Sequence, residues 1–80
     1  MQDQTVTFSI GGDKASQMKS FLRVVYEALT EKGYNPVNQI VGYILSEDPT
    51  YITTHNNARS IISKIDRDDL LRELVKNFLE

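Results

Sequence analysis

Eighty residues with no cysteine, one histidine and a net charge of -2 leave few routes to chemistry. Disulfides and thiolate metal sites are excluded, and a lone histidine cannot build a metal cluster, so neither a metal nor another cofactor is expected. The near-neutral balance argues against nucleic-acid binding that rests on many phosphate contacts.

The length allows one domain, with stability on the order of 4–12 kcal/mol. Domains this small commonly gain burial by association, so a homodimer is expected, with an interface drawing on the second helix and on Tyr43 and Tyr51. No apolar run approaches the roughly 20 residues that span a bilayer. The start Met1-Gln2-Asp3-Gln4 lacks the basic and apolar regions of a signal peptide. A cytoplasmic protein without membrane insertion is the simplest expectation.

Residues 1–15 read as a flexible N-terminal arm. Val6, Phe8 and Ile10 alternate with Thr5, Thr7 and Ser9, a period-two pattern for one short strand. Nothing downstream offers it a partner strand, and Gly11-Gly12-Asp13 interrupts regular structure. Residues 16–80 read as a single helical domain. Met18, Phe21, Leu22, Val25 and Leu29 recur at helical spacing, with Ser16 as N-cap and Gly33 as C-terminal stop. Val24 and Tyr26 widen the apolar stripe, so this helix is expected to be covered on two sides.

Asn35 caps a second helix and Pro36 fits its first turn. Val37, Ile40, Val41, Ile44 and Leu45, with no charge before Glu47, mark it as the central, most buried element. Gly42 inside it costs about 1 kcal/mol against alanine, which close packing of another helix would offset. Asp48-Pro49 opens a short turn holding Tyr51 and Ile52. Ala58, Ile61, Ile62 and Ile65 make a third amphipathic helix. Asp66 and Asp69 cap the last, whose face is Leu70, Leu71, Leu74, Val75, Phe78 and Leu79. The expected fold is all-α: a compact bundle of four main helices plus a short helical turn.

Catalysis is not expected. His55 could activate Thr53, Thr54 or Ser60, but hydroxyls beside a loop histidine are ordinary polar surface. Asp66, Asp68 and Asp69 lack the spaced ligands of a calcium loop, and helix capping accounts for them. Gly11-Gly12-Asp13-Lys14-Ala15-Ser16 lacks the spacing of a phosphate loop. The cations His55, Arg59, Lys64 and Arg67 follow one another along one segment, and His55 and Arg59 are neighbours on one helical face if that helix begins early enough. They are either a solvated face or an anion site, since arginine forks match phosphate oxygens. As exposed side chains, His55, Arg59 and Arg67 should tolerate alanine with the fold intact. Thr5 and Thr7 lie in the least helical part of the chain, where a kinase would find an accessible hydroxyl.

The run Lys32-Gly33-Tyr34-Asn35-Pro36-Val37-Asn38-Gln39-Ile40-Val41-Gly42-Tyr43 resembles the signature of the IreB family, small regulatory phosphoproteins of low-GC Gram-positive bacteria. The resemblance extends through Leu45-Ser46, Asp48-Pro49, Tyr51-Ile52, His55, Ala58-Arg59-Ser60, Arg67-Asp68 and Glu73-Leu74-Val75. It begins at Asp3-Gln4-Thr5. It implies a helical, dimeric, non-enzymatic cytoplasmic regulator, phosphorylated on an N-terminal threonine by a membrane Ser/Thr kinase with PASTA domains and reset by a cognate phosphatase. It further implies that the unmodified protein restrains peptidoglycan synthesis by promoting turnover of the enolpyruvyl transferase, the first committed enzyme, through the Clp protease machinery. Phosphorylation would relieve that restraint and raise resistance to cell-wall antibiotics.

The family's phosphothreonine falls on Thr5, with Thr7 a local alternative that the family does not support. Its basic residues fall on His55, Arg59 and Arg67. The family usually carries Pro-Arg where this chain has Thr53-Thr54, Arg where it has Ser63, and Gly where it has Glu47; Lys64 keeps one cation nearby. The rival reading is a structural helical dimer or scaffold that phosphorylation does not govern.

Overall fold

The computed structural model describes residues 14–80. The pattern at Val6, Phe8 and Ile10, the Gly11-Gly12-Asp13 break, and Thr5 and Thr7 lie outside the described residues. Four α-helices follow in order: α1 (Lys14–Glu31), α2 (Pro36–Ser46), α3 (Ala58–Ile62) and α4 (Arg67–Leu79). Two 3-10 turns, Pro49–Tyr51 and His55–Asn57, connect α2 to α3, and no strand occurs among the described residues. The all-α bundle expected from the periodicity is what forms.

The corner between α1 and α2 follows from three residues. Gly33 takes φ +84, and the amides of Gly33 and Tyr34 donate to Thr30 O and Leu29 O, closing α1 with a Schellman motif. Two residues later the Asn35 side chain accepts from the Asn38 amide at 3.0 Å, and Pro36 opens α2. Asp48 caps the Pro49–Tyr51 turn through the Thr50 amide, and Asp66 caps α4 through the Asp68 and Asp69 amides. Asp68 and Asp69 at the start of α4 and Lys76 in its last turn suit the helix dipole.

Lys14 and Ala15 are already helical, so Ser16 lies within α1 and is not its N-cap. The third helix is shorter than its apolar spacing predicts. Asn56 and Asn57 both adopt left-handed backbone (φ 53 and 61), which delays α3 until Ala58, and Ile65 reaches the core from a turn beyond it. Asparagine tolerates that conformation better than other non-glycine residues.

Val25, Leu29, Ile52 and Ile62 are the largest fully buried side chains. The core centre therefore lies between α1, α3 and the segment around Ile52. α2 is less central than its composition suggests: Ile40, Tyr43 and Ile44 face inward, while Val37, Val41 and Leu45 are exposed. α4 buries only Leu70 of its apolar face. Val24 and Tyr26 are also exposed, so the described residues do not cover α1 on that side.

Gly42 makes room for an aromatic ring, not for a second helix backbone. A Cβ added there would stand 2.5 Å from Tyr51 Cδ1 and 3.0 Å from Tyr51 Cζ. The Gln39 side chain holds the same residue from below, donating to Tyr51 O at 2.9 Å. Gly42→Ala should thus be destabilising despite better helix propensity. Overpacking costs about 1–3 kcal/mol and propensity returns about 1 kcal/mol, leaving a net loss of up to about 2 kcal/mol in urea unfolding and a displaced Tyr51 ring resonance.

Candidate functional site

Of the cations singled out by the sequence, His55, Arg59 and Arg67 each meet a different partner. His55 lies in the 3-10 turn ahead of α3, and its Nε2 is 2.7 Å from Glu31 Oε1 at the end of α1. Arg59 sits in α3, and its Nε donates to Ile52 O at 2.8 Å. The left-handed Asn56 and Asn57 separate the two, so His55 and Arg59 do not share a helical face. Arg67 opens α4; its Nη1 donates to Ile44 O at 3.1 Å, and its Nη2 pairs with Glu47 Oε2 at 2.9 Å. Lys64 is exposed in the turn between α3 and α4.

His55, Arg59 and Arg67 are half-buried, and all three hold elements together. Arg67 is the clearest case. Ile44 O is among the last carbonyls of α2, which an α-helix leaves without an intrahelical partner, and the guanidinium supplies the missing donor. Glu47, next in the chain after α2, takes φ 61 and donates its amide to Tyr43 O. A left-handed L-residue costs roughly 1–2 kcal/mol. Glu47 adopts that conformation, and its carboxylate is set against Arg67.

A shallow hollow of about 330 Å³ gathers Arg59 with Thr54, Ser60, Ser63, Asn57 and Pro49. Thr54 and Ser63 stand where the resemblance described above implies arginine; this chain places one guanidinium among hydroxyls. Neighbouring hydroxyls at 54 and 63 could not be assigned to Arg59 by sequence spacing, because the two asparagine kinks set the geometry.

The remaining candidates have structural occupations. The His55 amide donates to Thr53 Oγ1 at 3.2 Å, while Thr54 and Ser60 lie at the Arg59 hollow. Asp66 is a helix cap, and Asp69 bridges Lys14 Nζ at 2.8 Å and Arg72 Nη1 at 3.0 Å. No group of three or more histidine or acidic side chains able to hold a metal ion occurs among the described residues. No helix there is long and apolar enough to cross a membrane. Tyr43 is packed into the chain's own core, and Tyr51 is partly exposed with its ring over Gly42.

The Lys14–Asp69 pair ties the starts of α1 and α4 and has a pH signature. The hydrogen bond from Lys14, and then its charge, holds the Asp69 carboxyl below the usual 3.8. The same bond raises Lys14 above 10.5. A depressed carboxyl stabilises the fold above its unfolded pKa and loses that contribution as pH falls through the folded value. The raised ammonium does the converse, losing its contribution as pH rises through its folded value. The tie should therefore hold between about pH 4 and 10. In a carboxyl-detected titration, Lys14→Ala should return Asp69 upward toward 3.8.

A family model described as IreB regulatory phosphoprotein matches residues 3–80. A UPF0297 protein of Ruminiclostridium cellulolyticum is 53% identical over 78 residues, covering 98% of this chain and 89% of that relative.

Proposed function

The chain belongs to the IreB regulatory phosphoprotein family, and we propose that it is a cytoplasmic, phosphorylation-switched adaptor controlling peptidoglycan synthesis. In this reading Thr5 is the phosphoacceptor, a PASTA-domain Ser/Thr kinase writes the mark and a cognate phosphatase removes it. The unmodified homodimer promotes Clp-dependent turnover of the enolpyruvyl transferase and so sets resistance to cell-wall antibiotics. No catalysis by the chain itself and no nucleic acid enter this scheme.

The observation that carries the reading is the family match beginning at residue 3, which takes in Thr5 as well as the folded helices. The partner-facing surface we assign is the Arg59 hollow with the neighbouring exposed Lys64, while His55 and Arg67 shape the elements beside it. Arginine there presents donors suited to carboxylate or phosphate. Subunit contact falls to the exposed α2 stripe Val37, Val41 and Leu45, at helical i, i+4 spacing on one face.

A structural helical dimer without phosphoregulation would use the same stripe, so association alone does not separate the readings. Incubation with the host's PASTA kinase and ATP does. One phosphate per chain mapped to Thr5 by mass spectrometry is expected, and a chain left unlabelled by an active kinase would return the protein to the scaffold reading.

A further inference from the structure

The first turns of α1 and α4 frame a groove of about 510 Å³. Its floor is apolar, from Met18 and Leu22 on α1 and Leu70 and Leu74 on α4, with Lys19 and Glu73 at the rim. Leu74 remains 42% exposed, so the floor is incompletely covered by the described residues. We propose that the chain's own N-terminal segment fills this groove, laying Val6, Phe8 and Ile10 against Met18, Leu22, Leu70 and Leu74.

Where the described chain begins is the first argument. Lys14 is held to Asp69 at 2.8 Å, at the end of the groove where both helices start. The thirteen residues outside the described region therefore leave from the groove's own end. A segment leaving there must reverse direction to run along α1, and Gly11-Gly12 are the residues that permit a reversal at little steric cost.

Pattern and length supply the second argument. In extended backbone the side chains of Val6, Phe8 and Ile10 fall on one face, with Thr5, Thr7 and Ser9 on the other. From Val6 to Ile10 the chain spans about 13 Å at 3.3 Å per residue. The α1 wall from Ala15 to Leu22 runs about 10 Å at 1.5 Å per residue. The apolar face thus matches the floor in chemistry and extent. Docking also turns Thr5 and Thr7 outward, so it leaves both hydroxyls open to modification and does not depend on the phosphorylation reading.

The chain has no cysteine, so Ser9→Cys gives a single attachment point for a nitroxide on the full-length protein. With every chain isotopically labelled and spin-labelled, the amide signals of Lys19 and Leu74 should fall to less than half their diamagnetic intensity. Phe8→Asp or Leu74→Lys in the same background should restore them, and Leu74 is not a fully buried side chain. A second sample mixes isotopically labelled chains lacking the nitroxide with unlabelled chains carrying it. Broadening that appears in the mixed sample as well would mean the groove takes a neighbour's segment and would overturn the proposal. Absence of broadening in both samples would overturn it equally.

Discussion

Arg67→Ala should lower unfolding free energy by about 1–2 kcal/mol, the cost of leaving a part-buried acceptor without its charged donor. Two contacts are lost together. Ile44 O has no intrahelical partner at the end of α2, and the Ile44 side chain is itself buried. Glu47 loses its ion pair while remaining in left-handed backbone. The ion pair is partly exposed and contributes at most about 1 kcal/mol, so most of the effect comes from the carbonyl. Glu47→Gly tests that division: it removes the pair and relieves the backbone, and should be neutral to stabilising by about 1 kcal/mol. Lys64→Ala, on an exposed turn, should change stability by less than about 0.5 kcal/mol. Urea unfolding of the three variants checks the set. If Arg67→Ala unfolds at the wild-type midpoint, the guanidinium is not a structural donor.

The expectation that His55, Arg59 and Arg67 are freely truncated surface cations fails for the same reason. Arg59 Nε supplies Ile52 O, the carbonyl of a fully buried residue, and His55 reaches Glu31 at the far end of α1. A triple alanine variant would lose regulatory output through instability as well as through charge. Lys64→Ala, with its fold intact, is the cleaner probe of the surface, and any variant at Arg59 needs its stability measured alongside its activity.

What sequence could and could not reveal divides by distance along the chain. The Gly33 stop, the Asn35-Pro36 start and the Asp66 cap are local, decided within a few residues, and each forms as expected. The truncation of α3 is less legible, because Ala58, Ile61, Ile62 and Ile65 keep helical spacing even though Asn56 and Asn57 leave the helical region and Ile65 lies beyond the last turn. Gly42 shows the limit in another way: its spacing indicates a close approach, but only the fold shows that the neighbour is the Tyr51 ring. Apolar helix faces overstate burial. α2 and α4 have apolar stripes wider than the described residues cover, and the exposed Val41, Leu45, Val75 and Phe78 are the surplus. Destinations of long cationic side chains are set by tertiary contacts, which is why four cations in one segment proved to have separate surroundings.

Thr5→Ala should hold the adaptor in its restraining state, keeping the wall-synthesis enzyme at low abundance and sensitising cells to wall-active antibiotics. Phosphorylation adds a charge of roughly -1.5 to -2 and three strong acceptors to a stretch in which Asp3 is the sole charged side chain before Asp13. The described structure narrows what that phosphate can meet. At Arg67 it must compete with Glu47, already 2.9 Å away; at Arg59 it must share the guanidinium with a neutral carbonyl, the Asp48 carboxylate acting on that charge only from beyond hydrogen-bond contact. A dianion is the stronger partner in the second contest, since an ionised acceptor roughly doubles a hydrogen bond's strength. The Arg59 hollow is therefore the better intramolecular target, and masking it would silence the surface assigned to the partner. Direct repulsion of an acidic partner would give the same sign. Thr7→Ala should leave the switch working, and Lys64→Ala should weaken output without abolishing phosphorylation. Enzyme abundance by immunoblot and antibiotic sensitivity in the same strains check the direction. Labelling of Thr7 with Thr5 bare would overturn the site, and full restraint by the Thr5-phosphorylated protein would overturn the mechanism.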